Sequence, residues 1–217
     1  MPQIKKIVDL SHPLTADTPI YPGDPVPNFS IATTVDIEGY NLFKVILGSQ
    51  TGSHVDAPYH FSNQGTTVDK MDLKYFIGNG LIIDVTYKNR KEEITLDEIS
   101  KYETQINEAD IVLFKTNWYK KAGTNDFYDH PFLSKEGGEY LLSKDIKTAG
   151  IDAINLDNTG GKEFPIHEMY AEAGGIIVEN LANLDSVDFD SPFIISIPLK
   201  LVGCDGSPVR AVAVDFR

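Results

Sequence analysis

The sequence is poor in cysteine. Cys204 is the only one in 217 residues, so no intramolecular disulfide can form. That suits a reducing compartment, and the expected location is the cytoplasm. Long apolar runs are missing as well. No stretch reaches the ~18 apolar residues of a membrane span. After Lys5-Lys6 only Ile7-Val8 follow before Asp9 and Ser11, short of the apolar core of about 7–15 residues that a signal peptide needs. A soluble chain that is neither exported nor membrane-bound is expected. Positive charge is also scarce: 19 Lys and Arg stand against 32 Asp and Glu, a net charge of −13. Such a field repels phosphate backbones and anionic lipid, so neither nucleic acid nor a membrane is an expected partner. Repeats, low-complexity tracts and linkers are lacking, and the length suffices for one hydrophobic core, so residues 1–217 are expected to form a single domain. Histidine is rare too, at five: His12, His54, His60, His130 and His167.

Strand signals dominate what is present. Ile7–Ser11, Phe29–Val35, Tyr40–Gly48, Gly80–Thr86, Ile111–Lys115, Ile151–Leu156, Gly175–Asn180, Phe193–Val202 and Val209–Phe216 are rich in β-branched and aromatic residues. From Thr18 to Pro25, three prolines and a glycine in eight residues exclude helix and predict a rigid loop. Helical spacing is found over Ile94–Tyr102, with Thr95 as N-cap and Glu98 at the capping-box position. It is found again after Ser134 to about Asp145, and over His167–Ala173. Strands outnumber helices and interleave with them only in part. The expected class is α/β, a mixed β-sheet or barrel core with peripheral helices rather than a doubly wound fold.

One stretch concentrates chemistry: Gln50-Thr51-Gly52-Ser53-His54-Val55-Asp56-Ala57-Pro58-Tyr59-His60-Phe61. On an extended backbone residues two apart share a face, so His54 and Asp56 project together. Pro58 cannot donate to a ladder and ends the strand or marks its edge, after which His60 can fold back toward the same pocket. Gly52 permits a positive φ or a close backbone approach. Two imidazoles and a carboxylate within seven residues suit a divalent metal; a surface His–Asp hydrogen bond is the plainer alternative. Elsewhere the residues leave alternatives open. His12 is a pocket residue or a structural hydrogen-bond partner. His130, before Pro131, reads as a solvated or lid residue. Trp118, Tyr59 and Phe61 are pocket walls or core. Glu179 on its own is an ordinary strand-end carboxylate, Cys204 a buried inert thiol, and Arg210 a partner for one of the many carboxylates.

The stretch resembles the signature of the metal-dependent cyclase family, which includes the bacterial kynurenine formamidases (arylformamidases) and the isatin hydrolases. Its pattern is His-x-Gly-Thr-His-x-Asp-x-Pro-x-His. Weaker likenesses run along the chain at Asp9-Leu10-Ser11-His12, Tyr21-Pro22-Gly23-Asp24, Val112 to Trp118, His167 with Glu179, and Asp205 to Ala213. The resemblance implies the family's swivelling β/β/α-type domain and a homo-oligomer, dimer or tetramer. It implies His54, Asp56 and Glu179 as ligands of a Zn2+ or Mn2+ ion, His167 and the position of Gln50 as ligands of a second ion, and His60 as the catalytic acid/base. Tyr21, His12, Trp118 and Phe61 are the substrate-binding candidates, with Tyr21 standing where the formamidases typically carry tryptophan. A glutamine amide is a weaker ligand than imidazole, so one ion per chain is expected rather than two. The implied reaction is hydrolysis of a small amide or formamide, with N-formylkynurenine the leading candidate. A cyclic amide of the isatin type or a lactone is the runner-up. A metal- or ligand-binding protein on the same scaffold lacks a use for His60, and an interaction module has only the acidity in its favour.

Overall fold

The strand signals resolve, in a computed structural model that describes residues 3–216, into thirteen strands. The expected domain bounds, 1–217, take in residues 1, 2 and 217, which lie outside that range. In chain order the strands are β1 (Ile4–Asp9), β2 (Asn28–Thr33), β3 (Leu42–Ile46), β4 (His54–Asp56), β5 (Ile77–Asp84), β6 (Glu93–Ile94), β7 (Ile111–Lys115), β8 (Phe132–Leu133), β9 (Thr148–Ile151), β10 (Ile176–Glu179), β11 (Phe193–Ile195), β12 (Gly206–Pro208) and β13 (Val212–Phe216). Nine of them form one mixed sheet in the order β1-β13-β11-β5-β7-β9-β10-β4-β12. Its centre, β5-β7-β9-β10, is parallel, and the flanking pairs are antiparallel.

Alternation along the central strands sorts the core into two layers. Ile111 and Leu113 of β7 point to one face and Val112 and Phe114 to the other; Ile176 and Val178 of β10 oppose Ile177 in the same way. The first face meets Val8, Leu10, Ile194 and Ala213, which come from the outer strands and the turn after β1, so the sheet curls over its own interior. Main-chain bonds close the curl: Leu10 N donates to the Ala211 carbonyl, Ala182 N donates to the Leu10 carbonyl, and Ser11 bridges Leu181 beyond β10. The second face is covered by helices. There α2 (Leu96–Ile99), α3 (Glu103–Ile106), α4 (Lys135–Ser143) and α5 (Pro165–Glu172) contribute Ile99, Ile106, Leu141, Ile166 and Tyr170, whereas α1 (Val35–Glu38), between β2 and β3, buries no residue. Strands buried on both faces are continuous apolar runs for this reason. The expected mixed α/β sheet with peripheral helices is the observed architecture.

Local signals fare unevenly. Thr95 and Glu98 form a capping box, and Ser134 Oγ accepts from Gly137 N at the start of α4. The segment expected to be one helix over Ile94–Tyr102 is instead the short β6, α2 and a 3-10 turn. The strand expected over Ile151–Leu156 starts earlier and ends at Ile151. Asp152, Asn155 and Asp157 cause this by accepting from the backbone N–H groups of Thr116 and Asn117, of Asp157 and of Ile166, which ends the ladder. β11 stops at Ile195 rather than Val202. Cys204 is half-buried, not buried, and Arg210 forms a bidentate pair with Asp9. Among the described residues no helix is long and apolar enough to cross a membrane. The β2–β3 hairpin lies outside the main sheet and carries exposed Ile31, Ile37 and Phe43.

Candidate metal centre

The antiparallel register of β4 and β10 builds the floor of the site. Glu179 lies directly opposite His54, and Asp56, two residues further along β4, lies opposite Ile177. Val55 points into the curl, so His54, Asp56 and Glu179 share the helix-covered face at the carboxyl end of β10. All three are buried, and one ligand atom from each lies within 4.8 Å of the others. Gly52 precedes them with φ +71, and a Cβ there would meet Leu14 Cδ2 at 2.3 Å, so this turn into β4 needs glycine. Ser53 Oγ then accepts from His12 N at 2.9 Å and donates to the Asn180 carbonyl, tying the start of β4 to the end of β10.

Each imidazole around the floor is oriented through Nδ1. His54 Nδ1 donates to the Gly52 carbonyl at 2.7 Å, which leaves the Nε2 lone pair facing Asp56 Oδ1 and Glu179 Oε2, both at 3.6 Å. His167 Nδ1 donates to Asp157 Oδ2 at 2.7 Å, and its Nε2 lies 3.3 Å from Glu179 Oε1 and 3.4 Å from Asp56 Oδ2. The same Asp157 accepts from Ile166 N and His167 N, capping α5 just after Pro165. A carboxylate behind a histidine fixes its tautomer and raises its basicity, as in metal sites. Burial disfavours a charged His167, but Glu179 and Asp157 overrule it and raise its pKa well above the ordinary value. Burial likewise pushes the Asp56 carboxyl up, and His54 and His167 more than offset that, holding it below the usual value.

A divalent cation fits these residues. Both oxygens of buried Asp56 lack a hydrogen-bond partner, which is costly unless something else engages them. Glu179 keeps one oxygen on Leu156 N at 2.6 Å and presents the other to His54. Three buried carboxylates, Asp56, Asp157 and Glu179, converge on two imidazoles, and no Lys or Arg is among the residues lining the adjoining pocket. The donor set of one nitrogen and several carboxylate oxygens suits Zn2+ or Mn2+.

The floor opens into a cavity of about 230 Å³ lined by Tyr21, Asp24, Gln50, His60, Phe61, Asn155 and Phe164 among others. Phe61 packs against His167 with ring centroids 4.6 Å apart and against Phe164 at 5.4 Å; Tyr21 meets Phe164 at 6.4 Å. His60 closes the 3-10 turn Pro58–His60 that Pro58 starts. Its Nδ1 donates to Asp205 Oδ2 at 2.9 Å. Burial alone would lower the His60 pKa; the Asp205 bond and the charge of Asp56 raise it above the ordinary histidine value. That bond in turn holds Asp205 well below the usual carboxylate range.

Of the expected site residues, the structure brings together His54, Asp56, Glu179, His167 and His60, and sets Tyr21, Phe61 and Gln50 in the pocket wall. Gln50 lies outside the ligand group: its Nε2 donates to Asp205 Oδ2 at 2.9 Å. Two of the substrate-binding candidates are not among the residues lining this pocket. Trp118 belongs to the core, with its indole N–H donated to the Asp126 carbonyl at 3.0 Å, because Asn117 in left-handed conformation turns the chain inward there. His12 lines a separate cavity of about 220 Å³ that meets the first at Asn180. His130 is not solvated: it is buried, its Nδ1 donates to the Pro131 carbonyl and its Nε2 accepts from Thr159 Oγ1, and burial drives its pKa down to about 4. Sequence reasoning missed Asp157 and gave Asp205 no role. Their nearest signals are a lone carboxylate eight residues before Pro165 and the first residue of Asp205-Gly206-Ser207-Pro208.

Comparisons with known proteins agree with this geometry. The family described as "Putative cyclase" matches residues 8–158. A kynurenine formamidase of Bacillus thuringiensis (strain Al Hakam) is 33% identical over 207 residues, covering 94% of this chain and 95% of the relative. Among solved structures, an isatin hydrolase bound to the product analogue thioisatinate superposes with a TM-score of 0.90 at 27% identity, covering 98% of this chain and 93% of that one. A protein of Bacillus stearothermophilus, described as a predicted metal-dependent hydrolase, superposes with a TM-score of 0.81 at 30% identity, covering 97% and 98%.

Proposed function

This chain belongs to the cyclase family, and on that premise we propose that it is a metal-dependent hydrolase of a small amide or formamide, as the related kynurenine formamidases are named for. The observation that carries the reading is the buried His54, Asp56 and Glu179 group beside a histidine, His60, whose Nε2 no protein group among the described residues engages. One Zn2+ or Mn2+ held by His54, Asp56 and Glu179 would acidify water and polarise the substrate carbonyl. His167 supports the two carboxylates, and Gln50 is spent on Asp205, which favours one ion over two. His60 Nε2 takes the proton from the attacking water and returns it to the leaving nitrogen. Phe61, Phe164 and Tyr21 provide flat walls for an aryl group and exclude water from it. The functional unit is a single domain acting on a small molecule, and the exposed apolar β2–β3 hairpin supports assembly into a homo-oligomer.

A second reading, cyclic-amide hydrolysis of the isatin type, draws on the absence of Lys and Arg from the residues lining the pocket, which leaves no fixed cation there for an amino-acid carboxylate. The deciding experiment is a hydrolysis screen of N-formylkynurenine, isatin and aryl lactones with elemental analysis of the purified protein. Close to one Zn or Mn per chain and turnover of a carbon–nitrogen substrate are expected. Protein devoid of transition metal after metal-supplemented expression would overturn the hydrolase reading.

A further inference from the structure

We propose that Asp205 is the positioning residue for His60: it holds the ring in the Nδ1–H tautomer so that Nε2 is the basic atom turned to the pocket. The inference rests on the hydrolase reading and adds to it the residue that makes His60 a base. Three imidazoles surround the floor, and each is anchored through Nδ1, but the anchors differ in kind. His54 has a neutral carbonyl behind it, which suits a ligand that must stay neutral. His167 has a carboxylate behind it but is buried, with its Nε2 against Asp56 and Glu179. Only His60 combines a carboxylate anchor with a half-exposed ring. A base that cycles between neutral and cationic forms needs both.

The proton assignment follows from the hydrogen bonds. Asp205 Oδ2 lies 2.9 Å from His60 Nδ1 and 2.9 Å from Gln50 Nε2. A carboxylate carries no proton, so both nitrogens donate to it. The 3.4 Å approach of Gln50 Nε2 to His60 Nδ1 therefore joins two donors and is no bond. The neutral ring keeps its proton on Nδ1, and the lone pair is on Nε2. When Nε2 takes a proton from water, the positive charge develops beside Asp205, and it leaves when the proton passes to the departing nitrogen. Gln50 keeps the carboxylate from rotating. Gly206 makes room for that amide: a Cβ there would lie 2.6 Å from Gln50 Nε2 and 2.5 Å from the Val55 carbonyl. The strand pairing of Asp205 is separate from its side chain, since Ala57 N donates to the Asp205 main-chain carbonyl at 2.8 Å. A side-chain substitution thus leaves β12 against β4.

The test uses the metal-loaded protein with 15N-labelled histidine, the Asp205→Asn variant and steady-state kinetics. In the wild-type protein, above its pKa, His60 is expected to show a protonated Nδ1 and a bare Nε2; an Nε2–H tautomer would overturn the proposal even if no variant folds. In Asp205→Asn the amide can offer N–H to the ring, so the tautomer should shift toward Nε2–H. kcat should then fall about a hundredfold with KM within about threefold, and metal content should be unchanged. An Asn variant that keeps both the Nδ1–H tautomer and kcat within about twofold of wild type would overturn it. Wild-type protein inert toward every substrate of the screen would instead overturn the hydrolase reading, while the tautomer of His60 would still report on Asp205.

Discussion

The floor of the site and its rim are built differently although they share one pocket. The floor, His54, Asp56 and Glu179, is carried by the adjacent strands β4 and β10 near one end of the sheet and is buried. The rim, His60 with Asp205 and Gln50, is carried by a 3-10 turn and by residues flanking strands, and the His60 and Asp205 side chains keep about 30% of their exposure. Rigid, buried positions suit a cation, whose ligands must hold geometry and repel bulk water. Turn positions in touch with water suit a proton carrier. On the proposed function the difference is a division of labour: the strands would fix the ion, and the turns would handle the proton.

The sharpest way to break that division is at the floor. Asp56→Asn removes a buried carboxylate whose two oxygens have no hydrogen-bond partner. Bound metal should drop from close to one per chain to none detectable, turnover should vanish, and added Zn or Mn should no longer raise the melting temperature. A variant that still binds metal stoichiometrically would move the ion elsewhere.

A smaller effect separates acid unfolding from acid loss of metal, through a histidine in neither region. Folded His130 titrates near 4, below the 6.5 of an unconstrained ring. As pH falls the unfolded chain takes up its proton first. The stability that His130 contributes is full above about 6.5 and is lost as pH falls toward about 4, by up to about 3 kcal/mol. His130→Gln retains a donor for Pro131 and an acceptor for Thr159, and should lose markedly less stability between pH 7 and pH 4.5. Chemical denaturation of the metal-free proteins at the two pH values checks this; equal losses would contradict it.

The same contrast explains what could be read from the sequence. His54 and Asp56 were legible because strand period two puts them on one face within three residues. Glu179 and His167, more than a hundred residues away, stood out only through the family resemblance, since nothing local distinguishes a strand-end glutamate or a helical histidine. Asp157 and Asp205 act from turns, where a single carboxylate has no periodic signal. His130 was misread because a His-Pro pair in a polar stretch looks like surface, whereas Thr159, distant in sequence, supplies the partner that lets it be buried. The continuous apolar runs of β7 and β10 made buried strands readable, but not the curl, which depends on bonds between Leu10, Ala182 and Ala211.

The most direct test of the division between floor and rim is the metal content of His60→Ala, measured beside its turnover. The account predicts wild-type metal stoichiometry with kcat reduced about a hundredfold or more. Loss of the metal from that variant would contradict it, making His60 a ligand and joining rim and floor into one structure.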